Sequence, residues 1–380
     1  MMRYALCNGR VLTATGIVDN RVLLVADGRI QGLVPTEDPR CHQAIVEDLG
    51  GQLLLPGFID TQVNGGGGVL FNDRPDLEAI RTIGTAHRRY GTTGFLPTLI
   101  SGEAATITRA AVAVRAAMEA GVPGVLGIHI EGPFLNSKRK GVHDATKFVP
   151  LDDQLVTTLC AQQTGRTLIT LAPELATPTL IQRLTAAGII VAAGHTDATF
   201  AQINGAINAG LRGFTHLFNA MSPLGTREPG AVGAALYDSN TWCGLIVDGH
   251  HVDPVTLKLA LRCKRSDRFI LVTDAMPTVG TADTSFVLQG QRIDVLDGVC
   301  RDQRGTLAGS ALTMAGAVRN AMHMLDLSLE QAARMASEFP AQYLGLGHEL
   351  GRIAPGYRAD LVLVDAQINV LRTWIDGKGS

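Results

Sequence analysis

The chain has 380 residues, of which 46% are hydrophobic and only 18% are charged. A chain of this length and composition can bury a large core, so it is globular, with one large domain or two, and intrinsic disorder is excluded. The net charge of -2 gives no electrostatic reason to expect nucleic acid or an acidic membrane surface as a partner, so any anionic ligand must be bound by local groups.

The N-terminal residues MMRYALCNGR lack the basic region, apolar run and small-residue cleavage site of a signal peptide. No apolar stretch approaches the length of a membrane span. The six cysteines are scattered, without a CxxC pair and without a histidine at metal-finger spacing. They are Cys7, Cys41, Cys160, Cys243, Cys263 and Cys300. We therefore expect reduced thiols in a cytoplasmic protein.

The first fifty residues alternate between apolar and polar positions and contain an Asp27-Gly28 turn, a pattern typical of β-hairpins. The C-terminal segment has the same character and also carries an Asp-Gly turn near its end. We predict that the two ends form one small sheet domain, from residues 1–52 and 350–380, and that residues 53–349 form the other domain.

Eight apolar runs of the central region are predicted strands, and helical stretches separate most of them. The runs are LLLPGFID, TGFLPTLI, VLGIHIEG, TLITLAPE, IIVAAGH, RGFTHLF, WCGLIVDG and FILVTDA. Strands that alternate with helices are the pattern of parallel βαβ units. We therefore predict a (β/α)8 TIM-like barrel, a fold that places its chemistry at the C-terminal ends of its strands.

The ends of these runs carry polar side chains. In chain order they are Asp60 with Gln62 and Asn64, Thr98, Glu131, Glu174, His195, His216 with Asn219, Asp248 with His250 and His251, and Asp274. Any one of these groups, taken alone, is more often a cap or a surface group. Because a closed barrel brings all of them to one mouth, their shared position indicates a functional site.

Glu131, His195 and His216 are the predicted metal ligands of this ring. Two imidazoles and a carboxylate that leave one position open for water are a recurrent catalytic zinc pattern. Zinc lowers the pKa of its bound water to about 7, so the reaction that we expect is hydrolysis.

Asp274 ends the eighth run, within LVTDAMP. A carboxylate at this place can take a proton from the attacking water and return it to the leaving group, as a general base and then a general acid. A structural role, in which Asp274 caps the turn at Ala275-Met276-Pro277, remains an alternative.

The motifs at the strand ends resemble those of the amidohydrolase superfamily, in the order PGFID, HIEGPF, GHT, THLFNAM and TDA. Within that superfamily, EGPFLN, KGVHD, THLFNAMSPLGTREPG, DGHHVD and GTLAGS closely resemble the N-acetylglucosamine-6-phosphate deacetylase family. The resemblance covers about residues 50 to 355. It implies a β-sandwich for the small domain, and hydrolysis of N-acetyl-D-glucosamine 6-phosphate to D-glucosamine 6-phosphate and acetate, in amino-sugar catabolism and cell-wall recycling.

Many superfamily members have His-x-His after the first strand to hold a second metal, whereas this chain has Gln62-Val63-Asn64. Carboxamides are neutral and are poor zinc ligands beside histidine. The resemblance therefore implies one divalent ion per subunit. We expect Zn²⁺, although iron, cobalt and manganese can share such ligands. Ordinary hydrogen bonding by the two amides near the barrel mouth is compatible with this interpretation.

Further residues are assigned by the resemblance alone. His143, in KGVHD, resembles the histidine that faces the scissile carbonyl and stabilises the oxyanion. Arg227, in GTREPG, resembles the arginine that binds the substrate phosphate, which in the family reaches across a homodimer interface. The other substrate-binding residues that the resemblance implies are Val142, Asn219, Ala220, His251 and a loop of Leu307, Ala308 and Gly309 around the acetyl group.

His250 and His129 are interpreted as buried structural histidines. Lys138, Arg139 and Lys140 form a basic run, which is either a solvated loop or an attractive surface for an anionic sugar. Two rival functions remain. The first is another amidohydrolase acting on a different acylated or cyclic amide, which needs neither Arg227 nor His251. The second is a non-catalytic barrel that serves as a binding protein.

Overall fold

The computed structural model of the protein describes residues 3–163 and 165–380. Its centre is a barrel of eight parallel strands that pair in chain order, which confirms the predicted barrel. We number them as barrel strands one to eight. They are Phe58–Val63, Thr92–Ile100, Gly127–Glu131, Arg166–Leu171, Ile190–Ala193, Gly213–Phe214, Trp242–Leu245 and Phe269–Leu271.

A helix follows each barrel strand, and two more helices follow the eighth. Side-chain oxygens at the N-caps fix where several of them begin, for example Asp76, Asp152 and Thr199. Within the described residues, no helix is long and apolar enough to cross a bilayer. The helices are Leu77–Arg88, Ala104–Glu119, Asp153–Ala161, Pro178–Ala186, Phe200–Asn208, Gly230–Tyr237, Pro254–Cys263, Met314–Leu325, Leu329–Ala336 and Glu338–Tyr343.

The first and eighth barrel strands meet just beyond their regular ends. Val63 and Ala275 form a parallel bridge, and the backbone N–H of Asp274 donates to the carbonyl of Gln62 at 3.0 Å. This contact brings the side chains of Gln62 and Asp274 to the same side of the barrel mouth.

A buried carboxylate strengthens this junction from inside the barrel. Asp60 accepts hydrogen bonds from the backbone N–H of Gln62 at 3.1 Å, from the backbone N–H of Thr273 at 3.3 Å, and from the Thr273 hydroxyl. Burial raises the pKa of Asp60 to about 7, although these donors oppose the rise. Asp60 therefore lies below the mouth, as a link between strands one and eight.

The N- and C-terminal segments share one eight-stranded sheet, as the pattern of hairpins predicted. Apolar residues on its two faces belong to separate clusters, with Leu23 in one and Leu24 in the other. The Asp27-Gly28 turn has both residues at positive φ, as a tight hairpin requires. The strands are Arg3–Thr13, Gly16–Ala26, Arg29–Val34, Ile45–Asp48, Leu53–Pro56, Leu361–Val364, Val370–Ile375 and Lys378–Gly379.

The run LLLPGFID contributes to both sheets. Leu53–Pro56 pairs with Leu361–Val364 in the terminal sheet, and Phe58–Val63 begins the barrel. Gly57 lies between them, where an added Cβ would come within 2.0 Å of the Thr93 hydroxyl oxygen. The division of the chain at residues 52/53 and 349/350 stays a prediction, and residues 1 and 2 of its first segment lie outside the described residues.

A four-stranded antiparallel sheet between barrel strand eight and the helix Met314–Leu325 was not predicted. Leu307, Ala308 and Gly309 were expected in a loop, but they form a strand because they pair with Val299–Asp302. Apolar side chains of this sheet pack in one cluster with Ile100 and Met276 at the barrel mouth. The strands are Ser285–Leu288, Gln291–Leu296, Val299–Asp302 and Leu307–Ser310, and a two-stranded hairpin of Gly65–Gly66 and Val69–Leu70 lies nearby in the chain.

Candidate active site

The carboxyl ends of the barrel strands surround a cleft of about 210 Å³. It is lined by Ile100, Glu131, Gly141, Val142, His143, His195, His216, Asn219, Ala220, His251, Asp274, Met276, Thr306, Leu307 and Gly309. The structure thus brings most of the predicted site residues to one place. This is the mouth at which TIM-like barrels carry their chemistry.

Glu131, His195 and His216 converge on one point at the base of the cleft. The Nε2 atoms of the two histidines are 3.1 Å apart, and Glu131 Oε1 lies 3.0 Å from Nε2 of His216 and 3.3 Å from Nε2 of His195. Tetrahedral zinc with bonds of about 2.0–2.1 Å holds its ligand atoms about 3.3 Å apart. The three residues therefore fit a divalent ion, and they form the one such group of His, Cys, Asp and Glu found in residues 3–163 and 165–380.

The backbone at this site is strained. The backbone φ angles are 48° at His195, 34° at His216 and 52° at Asp274. These values lie in the left-handed region, which residues other than glycine rarely adopt. Such residues cost on the order of 1–3 kcal/mol each and cluster at functional sites, where the surrounding structure holds them. All three follow the end of a barrel strand, so the left-handed turn directs the side chain into the mouth.

A backbone carbonyl orients His195. The Arg139 carbonyl lies 2.8 Å from Nδ1 of His195, so this nitrogen carries the proton and Nε2 keeps its lone pair for a ligand. The Arg139 guanidinium is itself bound to Asp197 at 2.9 Å. Arg139 is thus not merely part of a solvated basic run, whereas the Lys138 side chain is 77% exposed and approaches Asp197 only at 3.5 Å.

Gln62 and Asn64 place amide hydrogens between two carboxylates. Gln62 Nε2 donates to both oxygens of Glu131, at 3.2 and 3.1 Å, and to Asp274 Oδ1 at 3.1 Å. Asn64 Nδ2 donates to the same Asp274 oxygen at 2.6 Å. The two amides thus meet at one oxygen of Asp274, and together they hold the carboxylates of Glu131 and Asp274 in place.

Asp274 has one oxygen held and one oxygen free. Oδ1 accepts both amides, while Oδ2 accepts no hydrogen bond from the described residues and the side chain lines the cleft. Burial raises the pKa of Asp274 to about 6, and the nearby charge of Glu131 adds to the rise. A carboxyl group with a pKa near neutrality is suited to accept a proton and then donate it.

His143 lies next to His195, with ring centroids 4.4 Å apart, and its Nδ1 is 2.8 Å from the Ser101 hydroxyl oxygen. Burial lowers the pKa of His143 to about 3, and the neighbouring His195 lowers it further, so the ring is neutral. A neutral imidazole at this position has one N–H to offer to the cleft or to Ser101.

On the other side of the cleft, Asp248 orients His251. Asp248 Oδ2 is 2.6 Å from His251 Nδ1, and Oδ1 accepts the backbone N–H groups of His250 and His251. The prediction of a buried structural role for His250 is wrong, because this tight turn directs His251 inward and leaves His250 exposed. His129 is buried in the barrel, as predicted, where Nε2 lies 2.8 Å from the Thr170 hydroxyl.

Several predicted residues lie away from the cleft. Arg227 is exposed, and Ala308 packs in the cluster beneath the small sheet. Thr98 is not at the end of its strand, because barrel strand two continues to Ile100. The Thr98 hydroxyl accepts a hydrogen bond from the Val63 N–H inside the barrel. Glu174 connects neighbouring loops through Asn136 and the residues Thr196 and Asp197.

Sequence reasoning missed Ser101, Ile100, Met276 and Thr306. Ser101 is the residue after barrel strand two, and the predicted run TGFLPTLI already ended at Ile100, so Ser101 could have been chosen as the polar residue at the strand end in place of Thr98. Ile100 and Met276 are apolar and carry no chemical signature. Their place in the cleft depends on the unpredicted antiparallel sheet that packs against them.

Comparison with known proteins agrees with this architecture. The Amidohydrolase family model matches residues 53–379. A relative from Shewanella sp. (strain ANA-3), named N-acetylgalactosamine-6-phosphate deacetylase, is 42% identical over 375 residues, which are 97% of this chain and 94% of that protein.

Two solved structures are similar over the whole chain. The N-acetylglucosamine-6-phosphate deacetylase of Pasteurella multocida has a TM-score of 0.96 and 36% identity, with 100% of both chains covered. The D267A mutant of the Mycobacterium smegmatis enzyme, in complex with N-acetyl-D-glucosamine-6-phosphate, has a TM-score of 0.90 and 33% identity, with 100% of this chain and 98% of that chain covered. From the barrel, its mouth and these matches together, the chain belongs to the amidohydrolase family and is a hydrolase.

Proposed function

We propose that this protein hydrolyses N-acetyl-D-glucosamine 6-phosphate to D-glucosamine 6-phosphate and acetate. One observation carries the proposal: Glu131, His195 and His216 converge within hydrogen-bonding distance of one another, in a cleft that Asp274 and His143 also line. Full-length similarity to proteins named for the deacetylation of phosphorylated amino sugars supports the substrate class. A place in amino-sugar catabolism and a cytoplasmic location follow from the same proposal.

The proposed cofactor is one divalent ion per chain, Zn²⁺, held by Glu131, His195 and His216. Such an ion supplies Lewis-acid chemistry, since it polarises the amide carbonyl and makes water more acidic. The amides of Gln62 and Asn64 occupy the position beside Glu131 and Asp274 with hydrogen bonds, which supports a single ion rather than two.

Asp274 moves the protons of the reaction. Its free Oδ2 takes a proton from the attacking water, while Gln62 and Asn64 keep the carboxyl plane fixed through Oδ1. The same oxygen then delivers the proton to the sugar nitrogen as the C–N bond breaks. His143 faces the acetamide carbonyl, where an N–H donor stabilises the negative charge that develops on the oxygen.

The proposed sugar-binding residues are His251, Asn219 and Ala220, which line one wall of the cleft. Val142, Leu307 and Gly309 line it as apolar or small residues suited to the acetyl group, and Ala308 supports them from behind. Arg227 is exposed in its own chain, which is compatible with a homodimer in which it binds the phosphate in the partner's cleft.

Arg227→Ala is expected to lower kcat/KM for the phosphorylated sugar by roughly 10- to 100-fold, the effect of losing one charge-assisted hydrogen bond. Slow hydrolysis of unphosphorylated N-acetylglucosamine should barely change. Acetate release measures both. Arg109→Ala, which removes another exposed arginine on the outer helix Ala104–Glu119, is the matched control and should behave as the wild type. Equal losses on both sugars would show that Arg227 has a structural role.

The dimer arrangement can be tested by mixing two subunits that are each impaired at a different residue. In a mixed dimer of Arg227→Ala and Asp274→Asn chains, one cleft contains an intact Asp274 and receives an intact Arg227 from its partner. Activity on the phosphorylated sugar should therefore rise on mixing above the summed activity of the two parent homodimers. If demonstrated mixed dimers show no such rise, Arg227 acts within its own subunit.

N-acetyl-D-galactosamine 6-phosphate is a second candidate substrate, because the relative with 42% identity is named for it. The two sugars differ only in the configuration of one hydroxyl group. Comparison of kcat/KM for acetate release from both sugars decides between them, and a larger value for the galactosamine compound would replace the proposed substrate. Release of acetate from neither sugar phosphate, with the metal bound, would favour another amidohydrolase activity or a non-catalytic binding role.

A further inference from the structure

Ser101 directly follows barrel strand two and is only 2% exposed. Its hydroxyl oxygen lies 2.8 Å from Nδ1 of His143. Hydrogen bonds fix the backbone on either side of the Ser101 side chain. The Asn72 side-chain amide accepts from the Ile100 N–H and donates to the Ile100 carbonyl. Gln289 Nε2 donates to the Ser101 carbonyl at 3.3 Å. Ser101 therefore presents its hydroxyl from a rigid position.

Hydrogen-bond accounting gives the direction of this contact. The Ser101 hydroxyl has no other side-chain or backbone partner among the described residues, and the same is true of His143 Nδ1. If Nδ1 carried a proton and donated it, the hydroxyl hydrogen would be buried without an acceptor, which costs about 1–3 kcal/mol. The hydroxyl therefore donates and Nδ1 accepts.

An accepting Nδ1 leaves the proton of the neutral ring on Nε2. The neighbouring His195 has the opposite arrangement, because its Nδ1 faces the Arg139 carbonyl, which can only accept. One histidine is thus fixed as an N–H donor and the other as a lone-pair ligand, although their rings are 4.4 Å apart. The difference arises entirely from the group behind each Nδ1.

We propose that Ser101 is a positioning residue, which fixes His143 in the Nε2–H tautomer so that this N–H points at the substrate amide carbonyl. The proposal rests on the deacetylase function proposed above and adds a residue to it. Gly132 makes the approach possible, because a Cβ at that position would lie 2.4 Å from the Ser101 hydroxyl oxygen. In the Nδ1–H tautomer, Nε2 would offer a lone pair to the carbonyl oxygen and repel it.

The first test is Ser101→Ala. We expect kcat to fall by roughly 10- to 100-fold, the usual loss when a group that orients a site histidine is removed, while KM and metal content stay close to wild type. Ser337→Ala is the matched control, because it also removes a buried hydroxyl, bonded to the Ala333 carbonyl at 2.6 Å, away from the cleft. This control should keep the wild-type kcat. Unchanged kcat in Ser101→Ala would overturn the proposal.

A double-mutant cycle separates positioning from a general structural role. In a His143→Gln background, Ser101→Ala should cause no further loss of kcat, because the histidine through which Ser101 acts is gone. A loss of the same size in both backgrounds would show that the serine matters to the fold rather than to His143, and would overturn the proposal.

Nitrogen NMR of the metal-loaded protein with ¹⁵N-labelled histidine reads the tautomer without any substrate. The His143 signals, identified by their disappearance in His143→Gln, should show a proton on Nε2 alone in the wild type and a mixture of tautomers in Ser101→Ala. A wild-type proton on Nδ1 would overturn the proposal. Because this readout needs no substrate, absence of activity on both sugar phosphates would contradict the proposed function while leaving the tautomer assignment supported.

Discussion

Asp274→Asn is expected to lower kcat by about 100-fold or more, the scale of a missing general base, while the metal stays bound. The structure dictates how the new side chain would sit. Gln62 and Asn64 both donate to Oδ1, so the asparagine must place its carbonyl oxygen there. Its NH₂ group then occupies the position of Oδ2 and faces the cleft as a donor, which cannot take a proton from water.

Metal analysis and acetate release on the same preparation measure this effect. Asp152→Asn is the matched control, because it makes the same chemical change at an exposed helix N-cap where asparagine also caps well. The control should keep wild-type turnover. Near-normal turnover of Asp274→Asn with its metal retained would remove Asp274 from the mechanism.

His216→Ala is expected to lose the bound metal and to lower kcat by roughly 1000-fold or more, as happens when one member of a catalytic unit is removed. Its Nε2 lies within 3.1 Å of the proposed ligand atoms of both His195 and Glu131. Truncation to alanine leaves only two of the three proposed ligands, and it removes one of the contacts of the buried Glu131 carboxylate.

His250→Ala is the control for this experiment. His250 is an exposed histidine at the same barrel mouth and does not line the cleft, so its removal should leave metal content and turnover unchanged. Elemental analysis after gel filtration gives the metal content. Wild-type metal content in His216→Ala would place the metal on other residues.

The barrel and its ring of polar strand ends could be predicted from sequence because each depends on short-range patterns. Apolar runs define strands locally, and parallel strands in a barrel necessarily bring their carboxyl ends to one mouth. For this reason, Glu131, His195 and His216 were predicted to lie together, although they lie at the ends of three different strands. Their convergence required only that the eight strands close in chain order, as they do.

The parts that were missed depend on contacts between distant segments. Ser101 acts through His143 from another loop, and no local pattern marks a serine after a strand as important. The antiparallel sheet between Ser285 and Ser310 is built from strands of only four to six residues, and its apolar side chains are buried only because they pack against Ile100 and Met276 at the barrel mouth. The error at His250 has the same origin. Which of the two adjacent histidine side chains, His250 or His251, points into the cleft depends on how Asp248 closes the turn.

Stoichiometric metal titration coupled to acetate release tests the central claim most directly. Metal-free protein receives increasing amounts of Zn²⁺, and hydrolysis of N-acetyl-D-glucosamine 6-phosphate is followed at each step. We expect activity to rise in proportion to bound metal and to reach its maximum at about one ion per chain, from the single ligand set of Glu131, His195 and His216. A requirement for two ions per chain, or no acetate at any metal content, would contradict a one-metal deacetylase.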